Sequence, residues 1–164
     1  METAAAVAVI VATEPQKSIL LLRRRASPDD PWSGHFSFPG GRRDPGDTDL
    51  LATCLRETAE ETGIILPEKS FRKMLPAAPV GRLMRIHMLV QPYLFRLSEK
   101  PKISVNPLEI ASAHWLDVAA FRDETRHHER EMVPGINFST FPLEDYYLWG
   151  FTYGVLRRLL AADN

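Results

Sequence analysis

The chain has 164 residues, a formal net charge of −1, 45% hydrophobic and 25% charged residues, and one cysteine. That length suits one domain with a sizeable core, spanning residues 1–164, and so even a charge balance leaves no broad basic face for nonspecific nucleic-acid binding. A lone thiol excludes an intramolecular disulfide and a cysteine-based zinc site, and no apolar run reaches the roughly 20 residues of a membrane-spanning helix.

Ala4–Ala12 and Ser18–Arg25 are β-rich runs separated by the turn-like Glu14-Pro15-Gln16-Lys17, which predicts a hairpin. The first run has only Glu2 as a charge before it, so it lacks the basic flank of a secretory signal, and a cytoplasmic protein is the default expectation. Ser27 to Pro31 is loop by composition, and Trp32-Ser33-Gly34-His35 leads into a short strand, Phe36–Phe38, that Pro39-Gly40-Gly41 is expected to break. Asp44-Pro45-Gly46-Asp47 predicts a turn, Asp47 or Asp49 fits a helix N-cap, and Gly63 fits the C′ position.

On the helix between them, Leu51, Leu55 and Thr58 share an apolar stripe with Cys54 beside it, a packing thiol rather than a nucleophile. Glu57, Glu60 and Glu61, at i, i+3 and i+4, stack three carboxylates on one face. Like charges so placed cost helix stability, and no lysine is interleaved from Glu57 to Glu61 to offset them. A hard divalent cation, Mg²⁺ or Mn²⁺, is the natural compensation, because it takes carboxylate oxygens, waters and substrate phosphates. The preceding loop complements it: Gly40-Gly41 lets backbone approach closely, and Arg42-Arg43 adds positive charge.

Residues 71–81, with prolines at 76 and 79, read as loop. Arg85–Leu97 alternates as a long strand in which Pro92 predicts a bulge or an edge and His87 is a strand residue. A further strand is expected over Ala111–Leu116, followed by a short helix. Arg122–Val133 is so charged that a loop or short helix is expected, and its adjacent His127 and His128 diverge on a helix, with no acid partner set by spacing. Asp145–Ala162 predicts an amphipathic helix with Leu148, Phe151, Thr152, Val155 and Leu159 facing the core.

The stretch Phe36–Ile64 resembles the Nudix box, G-x5-E-x7-R-E-U-x-E-E-x-G-U with U a bulky apolar residue. Arg56-Glu57-x-x-Glu60-Glu61-x-Gly63-Ile64 matches every fixed position of its second half, with Thr58 at the first U. Gly41 stands one residue further upstream than the short box has it, and the upstream glutamate is absent, with Asp44, Asp47 and Asp49 the nearest acids. That expansion, the lead-in SGHFSFPGG and the tail WGFTYGVLRRLL resemble the coenzyme A pyrophosphatase branch, although Trp32 stands where that branch carries histidine.

The resemblance implies an α/β (α+β) Nudix fold, a mixed central sheet sandwiched between helices. It implies metal-dependent hydrolysis of a pyrophosphate bond in a nucleoside diphosphate linked to another moiety, first coenzyme A or its derivatives, then ADP-ribose or nucleotide sugars, then nucleoside triphosphates. A Nudix-fold binding module without catalysis is the non-enzyme alternative. Glu57, Glu60 and Glu61, with a carbonyl of Gly40 or Gly41, would hold Mg²⁺ or Mn²⁺. Arg56 would position those ligands, and Glu109 would stand beside the metals or else be a solvated residue before a strand. Arg23 or Arg25, at the end of the second strand, would reach the phosphates together with Arg42, and Trp32 would stack on an adenine or pack against a loop. A general base would come from Glu124, Glu129 or Glu131 in a late loop. The partner implied is a small-molecule nucleotide, with no nucleic acid and no membrane, and either a monomer or a homodimer fits.

Overall fold

A computed structural model describes residues 3–81 and 87–162. The strands β1 (Thr3–Glu14) and β2 (Ser18–Arg24) form the expected antiparallel hairpin, with Val11 opposite Ile19. Next, β3 (Phe36–Ser37) pairs with β2, and β4 (Gly40–Arg42) pairs with the first half of β1. Residues 40–42 are thus strand, where the glycines were expected to end it. At this hydrogen-bonded pair Pro39 forgoes one of the two bonds, and its carbonyl still accepts from Ala8 N–H at 2.8 Å. The helix α1 (Leu50–Thr62) follows.

Two short strands, β5 (Phe71–Met74) and β6 (Ala78–Val80), replace the loop expected over 71–81, and both pair antiparallel with β7 (Met88–Glu99). Pro76 falls between them and Pro79 lies on an outer strand, positions that tolerate a missing N–H. Pro92 does not mark an edge. It lies inside β7, opposite Val7 of the parallel β1, where β5 hands over to β6, and its carbonyl accepts from Leu75 N–H at 3.0 Å. Residues 85 and 86 of the expected strand lie outside the described residues, and His87 is exposed just ahead of β7.

The strand β8 (Ile110–Asp117) runs antiparallel to β2 and leads into the one-turn helix α2 (Val118–Phe121). Only Glu124–Arg126 of the charged segment is helical, as a 3₁₀ turn. Its second half is β9 (His128–Val133), which joins β10 (Ile136–Leu143) and β11 (Tyr146–Leu148) in a separate antiparallel sheet. His128 to Glu131 are all exposed, so the strand carries no apolar alternation by which to recognise it. Because Tyr146–Leu148 pairs with Phe141–Leu143, α3 (Gly150–Ala162) begins at Gly150 rather than at Asp145.

Side-chain alternation along the central strands builds two cores. Ala6, Ala8 and Ile10 of β1 and Leu20 and Leu22 of β2 face α1, meeting Cys54 and Ile64. Val7, Val9 and Val11, with Ile19 and Leu21, face the other way toward Val155, Leu156 and Leu160 of α3. The result is a mixed sheet between helices, an α+β fold. Of the expected stripe, Thr58 and Cys54 are buried and Leu51 packs against the core, but Leu55 is 37% exposed, and Thr53 and Thr62 are buried with them instead. Small side chains suit a helix that lies against Ala6 and Ala8. Among the described residues, no helix is long and apolar enough to cross a membrane.

Candidate active site

Of the two candidate caps for α1, Asp49 does the capping, accepting from Ala52 N–H at 2.8 Å, and Gly63 ends the helix at φ 73°. Asp47 is used otherwise. Its carboxylate takes Arg56 Nε and Nη2 at 2.9 and 3.0 Å in a two-point fork, and also accepts from Asp44 N–H and Thr53 Oγ1. The guanidinium holds Asp47 well below the usual carboxylate range. The rest of Arg56 reaches Glu57 Oε1 at 3.0 Å, Glu60 at 3.3 Å and the Arg42 carbonyl at 3.3 Å. One side chain thereby ties the Asp44–Thr48 turn and β4 to the acidic face of α1.

Three carboxylates converge beside β4. Glu57 and Glu61 from α1 and Glu109, just ahead of β8, offer oxygens that all lie within 4.8 Å of one another. Glu109 is placed by the Asn106 turn and by its carbonyl, which accepts from Arg25 N–H at 2.9 Å. Glu61 is buried, and its Oε1 accepts from Gly40 N–H at 2.7 Å. Burial pushes its carboxyl up to about 8, against that hydrogen bond, and the neighbouring Glu57 and Glu109 add to the rise. Burial raises Glu57 as well, with Arg56 opposing. Glu60 lies outside this group, half exposed and paired with Arg56.

Gly40 stands beside the carboxylates. Ala8 with Pro39 and Ala4 with Arg43 are hydrogen-bonded positions of the β1–β4 ladder, so the two-residue alternation makes Ala6/Gly41 bonded and Val7/Gly40 not. The polar groups of Gly40 therefore point away from β1, as its N–H to Glu61 shows. Gly41 packs so tightly that a Cβ would stand 2.6 Å from the Glu57 carboxyl carbon. Three carboxylates whose oxygens lie within 4.8 Å of one another, with the Gly40 backbone beside them, fit a hard divalent cation.

The group opens into a cleft of about 1170 Å³. Strand parity sorts the arginines at the end of β2: Arg24 falls in step with Leu20 and Leu22 on the α1 face, and Arg23 with Leu21 on the other. Arg24, Arg25 and Arg42 line the cleft, whereas Arg23 is tied to Asp145 across the ring of Phe36. Arg24, which lowers the Glu61 carboxyl, was missed by sequence reasoning, and only the face count along β2 could have found it. Trp32 is half-buried in the cleft wall, in a loop held by Arg24–Asp30 at 2.8 Å and by its own N–H to Asp30. His35 beside it packs on Tyr146 and Trp149, and burial lowers its pKa.

The late carboxylates stand elsewhere. Glu124 pairs with Arg157, Glu131 accepts from Gly135 N–H, and Glu129 is exposed on β9. None of the three lines the cleft. His127 is bound to Tyr153 Oη and the Phe121 carbonyl, a packing role.

The NUDIX domain family matches residues 2–136. The chain is 29% identical over 158 residues to the uncharacterized Nudix hydrolase NudL of Yersinia pestis, covering 94% of this chain and 77% of that protein. Among solved structures it resembles the Nudix hydrolase RenU of M. smegmatis, with TM-score 0.63 and 20% identity over 99% of this chain and 88% of that one. It also resembles the NUDIX domain of Shewanella oneidensis NrtR, solved with ADP ribose, with TM-score 0.59 and 21% identity over 74% and 76% of the two chains. With Glu57 and Glu61 of the box lining one cleft beside Glu109, the chain belongs to the Nudix family, as a hydrolase of nucleoside diphosphate derivatives.

Proposed function

We propose that this enzyme cleaves the diphosphate of coenzyme A or its derivatives, giving 3′,5′-phosphorylated adenosine and 4′-phosphopantetheine. The observation that carries the reading is the convergence of Glu57, Glu61 and Glu109 beside Gly40 at one end of a large cleft. Mg²⁺ or Mn²⁺ bound there supplies neutralisation of the diphosphate charge and a water of lowered pKa. Glu57, Glu61 and the Gly40 carbonyl would hold the cation with Glu109 beside them, and Glu60, half exposed, adds negative charge. Arg56 positions Glu57 from behind, anchored by Asp47. Arg24, Arg25 and Arg42 face the phosphates, and Trp32 offers an adenine a stacking surface. Glu109, the exposed member of the group and the one not carried by α1, is the candidate general base in place of the late carboxylates.

The lead-in SGHFSFPGG and the tail helix favour coenzyme A. The ADP ribose in the Shewanella neighbour makes a compact nucleoside diphosphate the specific second reading. Purified protein with Mg²⁺, offered coenzyme A, ADP-ribose, a nucleotide sugar and a nucleoside triphosphate, should show its highest kcat/KM on coenzyme A. A far higher value on ADP-ribose would replace the first reading by the second.

A further inference from the structure

Gly154 stands in the middle of α3, where glycine is among the worst helix formers. Among the described residues, a Cβ there would meet only Arg158 Nη1, at 3.7 Å, an ordinary contact. Its φ lies in no region reserved for glycine. Among the described residues neither packing nor backbone conformation requires this glycine, and its missing side chain leaves open the space in front of it.

That space is the part of the cleft under α3. The core under α3 is closed from Val9 onward, but at the start of β1 the sheet opens. Ala5, Val7, Val80, Met88 and Val90 form an apolar floor, and Phe151 and Gly154 line the cleft from α3, with the exposed Arg158 guanidinium at its edge. Ala5 and Val7 stand across from Arg42 and Gly40 in the β1–β4 ladder, so this floor adjoins the acidic group, and the arginines and Trp32 line the same cleft. A sugar would leave hydroxyls unpaired on such a floor, whereas an extended chain of methylenes and a few amides loses little there. The cleft also exceeds the roughly 300–1,000 Å³ usual for a drug-sized ligand, as a nucleotide carrying a long arm would require.

We infer that this apolar groove is the subsite for the extended pantetheine-type arm of the substrate, and that Gly154 is the specificity-determining residue that admits it. This rests on the coenzyme A reading and adds an orientation: nucleotide half toward Trp32, arm under α3.

The test compares Gly154→Ala and Gly154→Leu with wild type on coenzyme A and on ADP-ribose, which shares the adenosine diphosphate but lacks the arm. The ratio of kcat/KM for coenzyme A to that for ADP-ribose should fall by about tenfold or more in Gly154→Leu, mainly through KM, the scale of methylene-sized exclusion from an apolar pocket. Gly154→Ala should show a smaller fall together with a higher melting temperature, because alanine favours the helix. That opposition is not expected of a residue kept for folding. If Gly154→Leu does not fold, Gly154→Ala carries the test alone. An unchanged ratio in folded variants of an enzyme that does cleave coenzyme A overturns the subsite and leaves the substrate reading standing. A wild-type enzyme inactive on coenzyme A overturns both.

Discussion

A Cβ on Gly40 would fall against the Ala6 carbonyl and within 2.7 Å of Val7 Cα, whereas one on Gly41 would meet only the Glu57 carboxylate. The first obstacle is backbone and the second a side-chain tip, so the two glycines should fail differently. Gly40→Ala should destabilise the fold by ~1–3 kcal/mol, the usual cost of overpacking, visible in denaturant unfolding. Gly41→Val should keep most of its stability and lose activity, because it displaces Glu57; an active Gly41→Val enzyme would mean that Glu57 can move without consequence. Glu61→Gln separates the same two properties in reverse. Glutamine can still accept from Gly40 N–H, and it removes a buried charge that the empty site disfavours. The variant should melt higher than wild type in chelator, yet lose at least about 10²-fold in kcat with Mg²⁺, as expected when metal-supported charge stabilisation is lost. A Glu61→Gln enzyme with wild-type turnover would remove Glu61 from the metal site.

At the scale of elements, α1 is a helix whose ends and acidic face were legible because capping, glycine punctuation and carboxylate spacing are local properties. Its seating was not legible. Leu55 rather than Thr53 looks like the buried residue until one knows that Ala6 and Ala8 lie beneath. The parity of Arg23 and Arg24 and the strand β5 depended on partners distant in sequence, and the charged β9 was hidden because its exposed residues carry no apolar alternation. The tie between the Asp44–Thr48 turn and α1 makes its own prediction. The folded state depresses the Asp47 pKa, so this group stabilises the fold at pH values above the ordinary aspartate range. That contribution is lost as pH falls below about 4 toward the depressed value. Asp47→Asn should therefore be less stable than wild type at pH 7, and the gap between their melting temperatures should close on acidification. A gap that stays constant with pH would mean that the fork contributes no charge-dependent stability. On the buried side of the same helix, the Cys54 thiol is pushed up to about 12 by burial, so iodoacetamide at pH 8 should label it only after unfolding.

For the molecule as a whole, metal and stability are linked. A cation that binds only the folded state adds about 2.7 kcal/mol at a hundredfold excess over its Kd, so Mg²⁺ should raise the wild-type melting temperature, and Glu61→Gln should respond far less. An equal response in both proteins would place the bound cation elsewhere. The pairing of β1 with β7 reaches further still. The first strand of the chain finds its parallel neighbour only when Val9 meets Leu94 and Ile10 meets Phe95, with the box helix already laid down between them. Strand pairing over such a separation carries a large loop-closure cost and slows folding. On the ribosome, the Ala-Val-Ile run of β1 must therefore emerge and wait, with only its hairpin partner β2 and the short β4 beside it, until residue 99 has cleared the exit tunnel. Nascent chains arrested before β7 is complete should bind chaperones and resist refolding, and those arrested after α3 should not.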